Sequence, residues 1–128
     1  MATFNLMGVD IPLAYTIGAK KELLEAFGSS DKLQAAFAVT SDIELAENAA
    51  RIGSIMAKAE MMRQKAEHVL LGTEITAREI PYEDLFALLD IEKTMELIEA
   101  ISSTIREANK TQFQTQETKG KKTEATQE

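Results

Sequence analysis

The chain has 128 residues, enough for one domain around a single core, with 45% hydrophobic and only 5% aromatic residues and no Trp. Its formal net charge is −7. That balance argues against nucleic-acid backbones and anionic membrane surfaces, which are bound through Lys and Arg. The absence of Cys excludes disulfides, thiolate metal sites and cysteine nucleophiles.

The opening stretch, TFNLMGVDIPLAYT, alternates Phe4 and Leu6, then Ile11, Leu13 and Tyr15, about a Met7-Gly8 turn. It predicts a short β-hairpin, with Pro12 confining its strand to an edge. Two strands alone are marginal, so the hairpin must pack on helices or pair with another chain. The stretch has no basic n-region and no long apolar run, so it is not read as a signal peptide. No segment nears the roughly 20 apolar residues of a membrane span.

Thr16 is a predicted N-cap and Gly28 a predicted C-terminal stop for IGAKKELLEAF, with Ile17, Leu23, Leu24 and Phe27 as its apolar stripe. Ser29, Ser30 and Asp31 turn the chain into DKLQAAFAV, with Leu33, Ala36 and Phe37 inward. Ser41 followed by Glu44 fits a capping box. From there to Leu71 the only helix-weakening residue is Gly53, which predicts one helix of roughly 45 Å. Its stripe is Leu45, Ala49, Ile52, Met56, Ala59, Arg63, Ala66 and Leu70. Further apolar residues on its other side predict a central helix touched from more than one direction.

Gly72 ends that helix and TEITAREIPYED reads as a loop. Pro81 fits the start of a two-turn helix with Glu83 and Asp84 in its first turn and Leu85, Phe86, Leu88 and Leu89 as its payload. Asp90 is a predicted cap for a last helix whose stripe is Met95, Ile98, Ile101 and Ile105, with Ile91, Leu97 and Ala108 beside it. After Asn109 the apolar pattern stops. The expected fold class is mainly α: four to five helices with a short N-terminal β-hairpin over residues 1–109, and a disordered polar tail over 110–128. The tail is slightly basic, so the body carries the acidic charge.

No residue set points to catalysis. His68, the only histidine, has Gln64 and Gly72 at i±4 rather than a carboxylate, and reads as a helix-end side chain. Glu92, Glu96 and Glu99 share a face, but no Glu-x-x-His accompanies them, so a solvated acidic face is expected rather than a metal site. No phosphate-binding glycine loop or nucleophile motif is present, and no cofactor is expected. KKELLEAFGSSDKLQAAF has the outline of a helix-turn-helix, yet its second helix offers only Lys32 and Gln34 as base readers. Met56, Met61 and Met62 lie along the long helix; Met fills cores, and it also serves adaptable binding surfaces. With Phe4, Leu6, Ile11 and Leu13 of the hairpin, they are the candidate client or self-association surface.

The order of elements resembles a known group. FNLMGVDIPLAYT leads to a helix ending at AFGSSDKL, then a long helix, a GTEI loop, IPYEDLFALLD and a final helix, and IEAISSTIREANKTQ runs into a Lys/Thr/Glu/Gln tail. This resembles the tail assembly chaperones of long-tailed bacteriophages and prophages, of the Gram-positive host type. The resemblance implies a non-catalytic, homo-oligomeric protein of the bacterial cytoplasm, absent from the finished virion. It would bind the tape-measure protein, keep it soluble and promote tail-tube assembly. It further implies a longer product, made by ribosomal frameshifting in the tail, that engages the tail tube protein. Lys121-Lys122 is the candidate frameshift region, since paired Lys codons are adenine-rich. The alternative is a self-associating acidic helical adaptor or structural protein without a client.

Overall fold

A computed structural model describes residues 3–127, with side chains described through Lys110. Two strands, β1 (Thr3–Leu6) and β2 (Val9–Pro12), precede five helices. These are α1 (Ile17–Phe27), α2 (Ser30–Gln34), α3 (Asp42–Leu71), α4 (Tyr82–Leu88) and α5 (Ile91–Gln127), with a 3-10 turn at Ala35–Phe37 after α2. The mainly-α class with an N-terminal hairpin is therefore the observed one. The backbone of α5 is continuous across the domain boundary expected at residue 109; the side chains of the expected tail from residue 111 on, Lys121 and Lys122 among them, lie outside the described residues.

The hairpin is a two-stranded antiparallel sheet pairing Phe4 with Ile11 and Leu6 with Val9. Met7 (φ 55°) and Gly8 (φ 82°) both adopt left-handed backbone, the geometry of a two-residue type I′ turn. Asn5 Nδ2 donates to Asp10 Oδ1 at 2.8 Å across the pair. The apolar face of the hairpin closes onto the helices: Phe4, Leu6, Ile11 and Leu13 are all buried. Beyond β2 the Ala14 N–H donates to the carbonyl of Met56 at 3.1 Å, so this segment lies directly against α3.

Local capping follows the sequence closely. Thr16 Oγ1 accepts from the Ala19 N–H, Ser29 Oγ from Lys32, Ser41 Oγ from Glu44 and Asp90 Oδ1 from Lys93. Gly28 and Gly72 close α1 and α3 in left-handed conformation.

Helix α3 is the axis of the fold, in contact with α1, α4, α5, the 3-10 turn and β2. Leu13, Leu23, Ile52, Met56, Leu97 and Ile101 are the large apolar side chains fully withdrawn from water among the described residues, each contributing about 1.5–3 kcal/mol of burial. Gly53 lies where α4 and α5 pack tightly on α3. A Cβ there would stand 3.1 Å from Leu97 Cδ1 and 3.2 Å from Leu85 Cδ2, so the absent side chain is what lets α4 and α5 seat on α3.

Two stripes differ from expectation. On α5 the buried line is Thr94, Leu97, Ala100, Ile101 and Thr104, whereas Met95 and Ile91 face water. Both threonines can be interior because their hydroxyls donate to carbonyls one turn back, Asp90 at 2.7 Å and Ala100 at 2.8 Å. On α3 burial stops at Glu60, and Arg63, Ala66 and Leu70 are exposed; there the loop that follows meets the helix through hydrogen bonds of Gln64 and His68. Leu88, expected as core payload of α4, is likewise exposed.

Candidate interaction surface

The seven residues expected as a client or self-association surface divide sharply. Phe4, Leu6, Ile11, Leu13 and Met56 form part of the chain's own core, and an open face at these positions is corrected accordingly. The alternation that suggested an interaction strand is satisfied internally, by packing on the helices. Met61 is half-buried and Met62 is exposed, so only the end of the methionine series faces outward.

The exposed apolar surface of the described residues lies elsewhere, mainly in three places. The first is a groove of about 470 Å³ where the start of α3, the end of α4 and the start of α5 converge. Ile43, Ala46, Leu89, Ile91 and Met95 line it, with Asp42 and Asp90 among its polar residues. Ile43 and Ile91 are each 68% exposed. Two capped helices begin here with an apolar residue, Ile43 and Ile91, near the first turn, and among the described residues no further element covers them.

The second is the C-terminal end of α3. Met62, Ala66, Val69 and Leu70 stand at i, i+4, i+7 and i+8, which aligns them on one helical face, and all four are exposed. Val69 and Leu70 each reach 82% exposure. The third is a smaller cleft of about 280 Å³ beside the hairpin, lined by Met7, Val9, Pro12, Ile80 and Leu88 with Arg78 and Asp10.

A polar network ties the C-terminal part of α3 to the loop that follows it. The Glu60 carboxylate is completely buried. Arg63 donates to it twice, Nε to Oε1 at 2.7 Å and an η nitrogen to Oε2 at 3.0 Å, and Gln64 Nε2 donates at 2.9 Å. Burial by itself would raise the Glu60 pKa; the hydrogen bonds from Arg63 and Gln64 and the guanidinium charge outweigh it and hold the carboxyl below its ordinary value. The second oxygen in the chain of contacts, Gln64 Oε1, accepts from the N–H groups of Thr76 (2.8 Å) and Ala77 (2.9 Å). Ser54 Oγ donates to the Ile80 carbonyl at 2.6 Å, fixing the far end of the same loop. Sequence inspection missed Glu60. Its signal is an acidic residue one turn beyond Met56 and Ala57, followed by Arg at i+3 and Gln at i+4.

His68 Nδ1 is 2.6 Å from the Thr73 carbonyl, which it meets as a donor, tying the helix end to the loop. Glu92, Glu96 and Glu99 are exposed. Among the described residues no group of three His, Asp or Glu side chains is gathered as a metal site, and no helix is long and apolar enough to cross a membrane. Ser102 and Ser103 lie on α5 without a nearby base in sequence.

Comparison with protein-family models, with curated proteins and with solved structures gives no match.

Proposed function

We propose that this chain is a non-catalytic assembly chaperone for phage tails whose client is the tape-measure protein. The observation that supports the reading best is the amount of large apolar side chain left in water by a folded, acidic domain. Twelve such residues are exposed among those described, gathered largely at the groove, the α3 end and the hairpin cleft. Apolar patches of this kind on a soluble domain mark interaction surfaces. A long amphipathic helical client needs several shallow, adaptable contacts, and Met7, Met62 and Met95 supply pliable ones. The net charge of −7 keeps a coated client soluble. The order of a hairpin, two short helical segments, a long helix, a short helix and a final helix is the one expected from the sequence. The partners are the tape-measure protein and, through a longer frameshifted form, the tail tube protein. The protein acts in the bacterial cytoplasm and leaves before the particle is complete.

The test is the mass of every product made from the native gene with its downstream DNA. The reading expects a second, longer polypeptide that shares this N-terminus and leaves the frame near Lys121-Lys122. A single product together with no effect on tape-measure solubility counts against it.

A further inference from the structure

We propose that the cavity between α2, the 3-10 turn and α5 is a binding site for a small amphipathic anion, a medium-chain fatty acid, with its chain inside and its carboxylate on Arg106. The cavity has a volume of about 410 Å³. That lies within the roughly 300–1,000 Å³ of small-molecule sites. A cavity of about 150 Å³ holds a benzene ring, so an aliphatic body of about ten carbons is in scale here.

The lining is sorted by polarity. Ile52 and Ile101 are buried and form the floor, while Leu33, Phe37 and Ile105 are half-buried and form the walls. An acyl chain laid over them covers apolar surface that the fold leaves partly wet. Tyr15, Gln34, Ser102 and Asn109 add polar side chains, and none of these four makes a hydrogen bond with another described residue. On α5 the two kinds of lining stand side by side. Ile101 and Ile105 are one turn apart, and Ser102, Arg106 and Asn109 stand beside them at i, i+4 and i+7. The polar row offers a hydroxyl, a guanidinium and an amide, all able to donate to one carboxylate.

Charge selects the head group. The chain carries a net charge of −7, yet Arg106 is the only charged residue among those that line this cavity. Its side chain is 69% exposed, and its contact with Glu99 is 3.8 Å, too long for a hydrogen bond. A surface pair this loose contributes little, so the guanidinium can turn to a ligand carboxylate and bind it through two N–H groups. A cationic amphipath meets no carboxylate in the lining, and a neutral one leaves the guanidinium unused. The inference is independent of the chaperone reading, since it concerns this chain and a small molecule alone.

Decanoate is the probe. It is titrated into the full chain below its micellar concentration and followed by calorimetry and methyl-resolved NMR. It should bind saturably at one site, and the shifted methyls should be those of Leu33, Ile52, Ile101 and Ile105. Decanol, equal in length without the charge, should bind at least about tenfold more weakly. Arg106→Gln should bring decanoate down to the affinity of decanol, with circular dichroism matching the wild type because the side chain is exposed. Lys65→Gln makes the same change of charge at an exposed position of α3 outside this cavity, and should leave decanoate binding as it is. Absence of saturable binding overturns the inference. So do equal affinities for decanoate and decanol, an Arg106→Gln chain that binds decanoate as well as the wild type, or shifts centred on Ile43, Ile91 and Met95 instead.

Discussion

Glu60 and Arg63, one turn apart on α3, share two hydrogen bonds of 2.7 and 3.0 Å although the carboxylate has no access to solvent and the guanidinium side chain is 43% exposed. The pair is asymmetric: one partner is fixed in the interior, the other can turn to water. Removing Arg63 therefore leaves a buried charge, whereas removing the Glu60 charge leaves only an exposed cation. Arg63→Ala should cost about 2–4 kcal/mol and Glu60→Gln about 1–2 kcal/mol, measured by urea unfolding.

The same carboxylate gives an acid dependence. Its folded pKa lies below its unfolded value, so its stabilisation is fully present above the unfolded pKa and is lost as pH falls through the folded one. Stability measured against pH should fall on the acid side below the ordinary glutamate range, and the Glu60→Gln chain should show a shallower fall there.

Gly53 is a steric position. Adding a methyl group favours the helix by about 1 kcal/mol, but here it must displace Leu97 and Leu85, both buried and both within 3.2 Å of it. Overpacking wins: Gly53→Ala should destabilise by about 1 kcal/mol, and Gly53→Leu should prevent folding. Thermal melts of the two variants check the order.

Met7 holds a left-handed backbone (φ 55°) at the first position of the hairpin turn while its side chain is 76% exposed. Asn tolerates that conformation better and the position makes little packing demand. Met7→Asn should stabilise by about 0.5–1 kcal/mol, seen as a raised Tm.

Gln64 bridges the helix to the loop, giving one hydrogen bond to Glu60 on one side and taking hydrogen bonds from Thr76 and Ala77 on the other. Gln64→Ala should free those two loop N–H groups. Hydrogen exchange should quicken at Thr76 and Ala77 while the amides of Ile52 and Met56 stay protected.

What could be read from the sequence was set locally. Thr16, Ser41 and Asp90 cap the helices they were expected to cap, because a cap needs only its own side chain and an N–H three residues on. Gly72 ends α3 for an equally local reason. Helix faces were less legible. Met95 is more apolar than Thr94, yet Thr94 is buried, because its hydroxyl finds the Asp90 carbonyl and geometry places position 94 inward. Leu70 continues the α3 stripe in sequence but lies past the last packed turn. The hairpin residues were legible as apolar, not as core: whether Phe4 and Ile11 meet their own helices or another chain depends on tertiary closure. The groove pieces together residues from three helices, so no single stretch announces it.

The chaperone account is tested most directly by co-expressing the chain with a phage tape-measure protein and measuring how much of the latter is soluble and co-purifies. The account predicts a soluble complex in which the tape-measure protein, insoluble alone, elutes with many copies of this chain. A tape-measure protein that stays insoluble, with this chain eluting by itself, would contradict it.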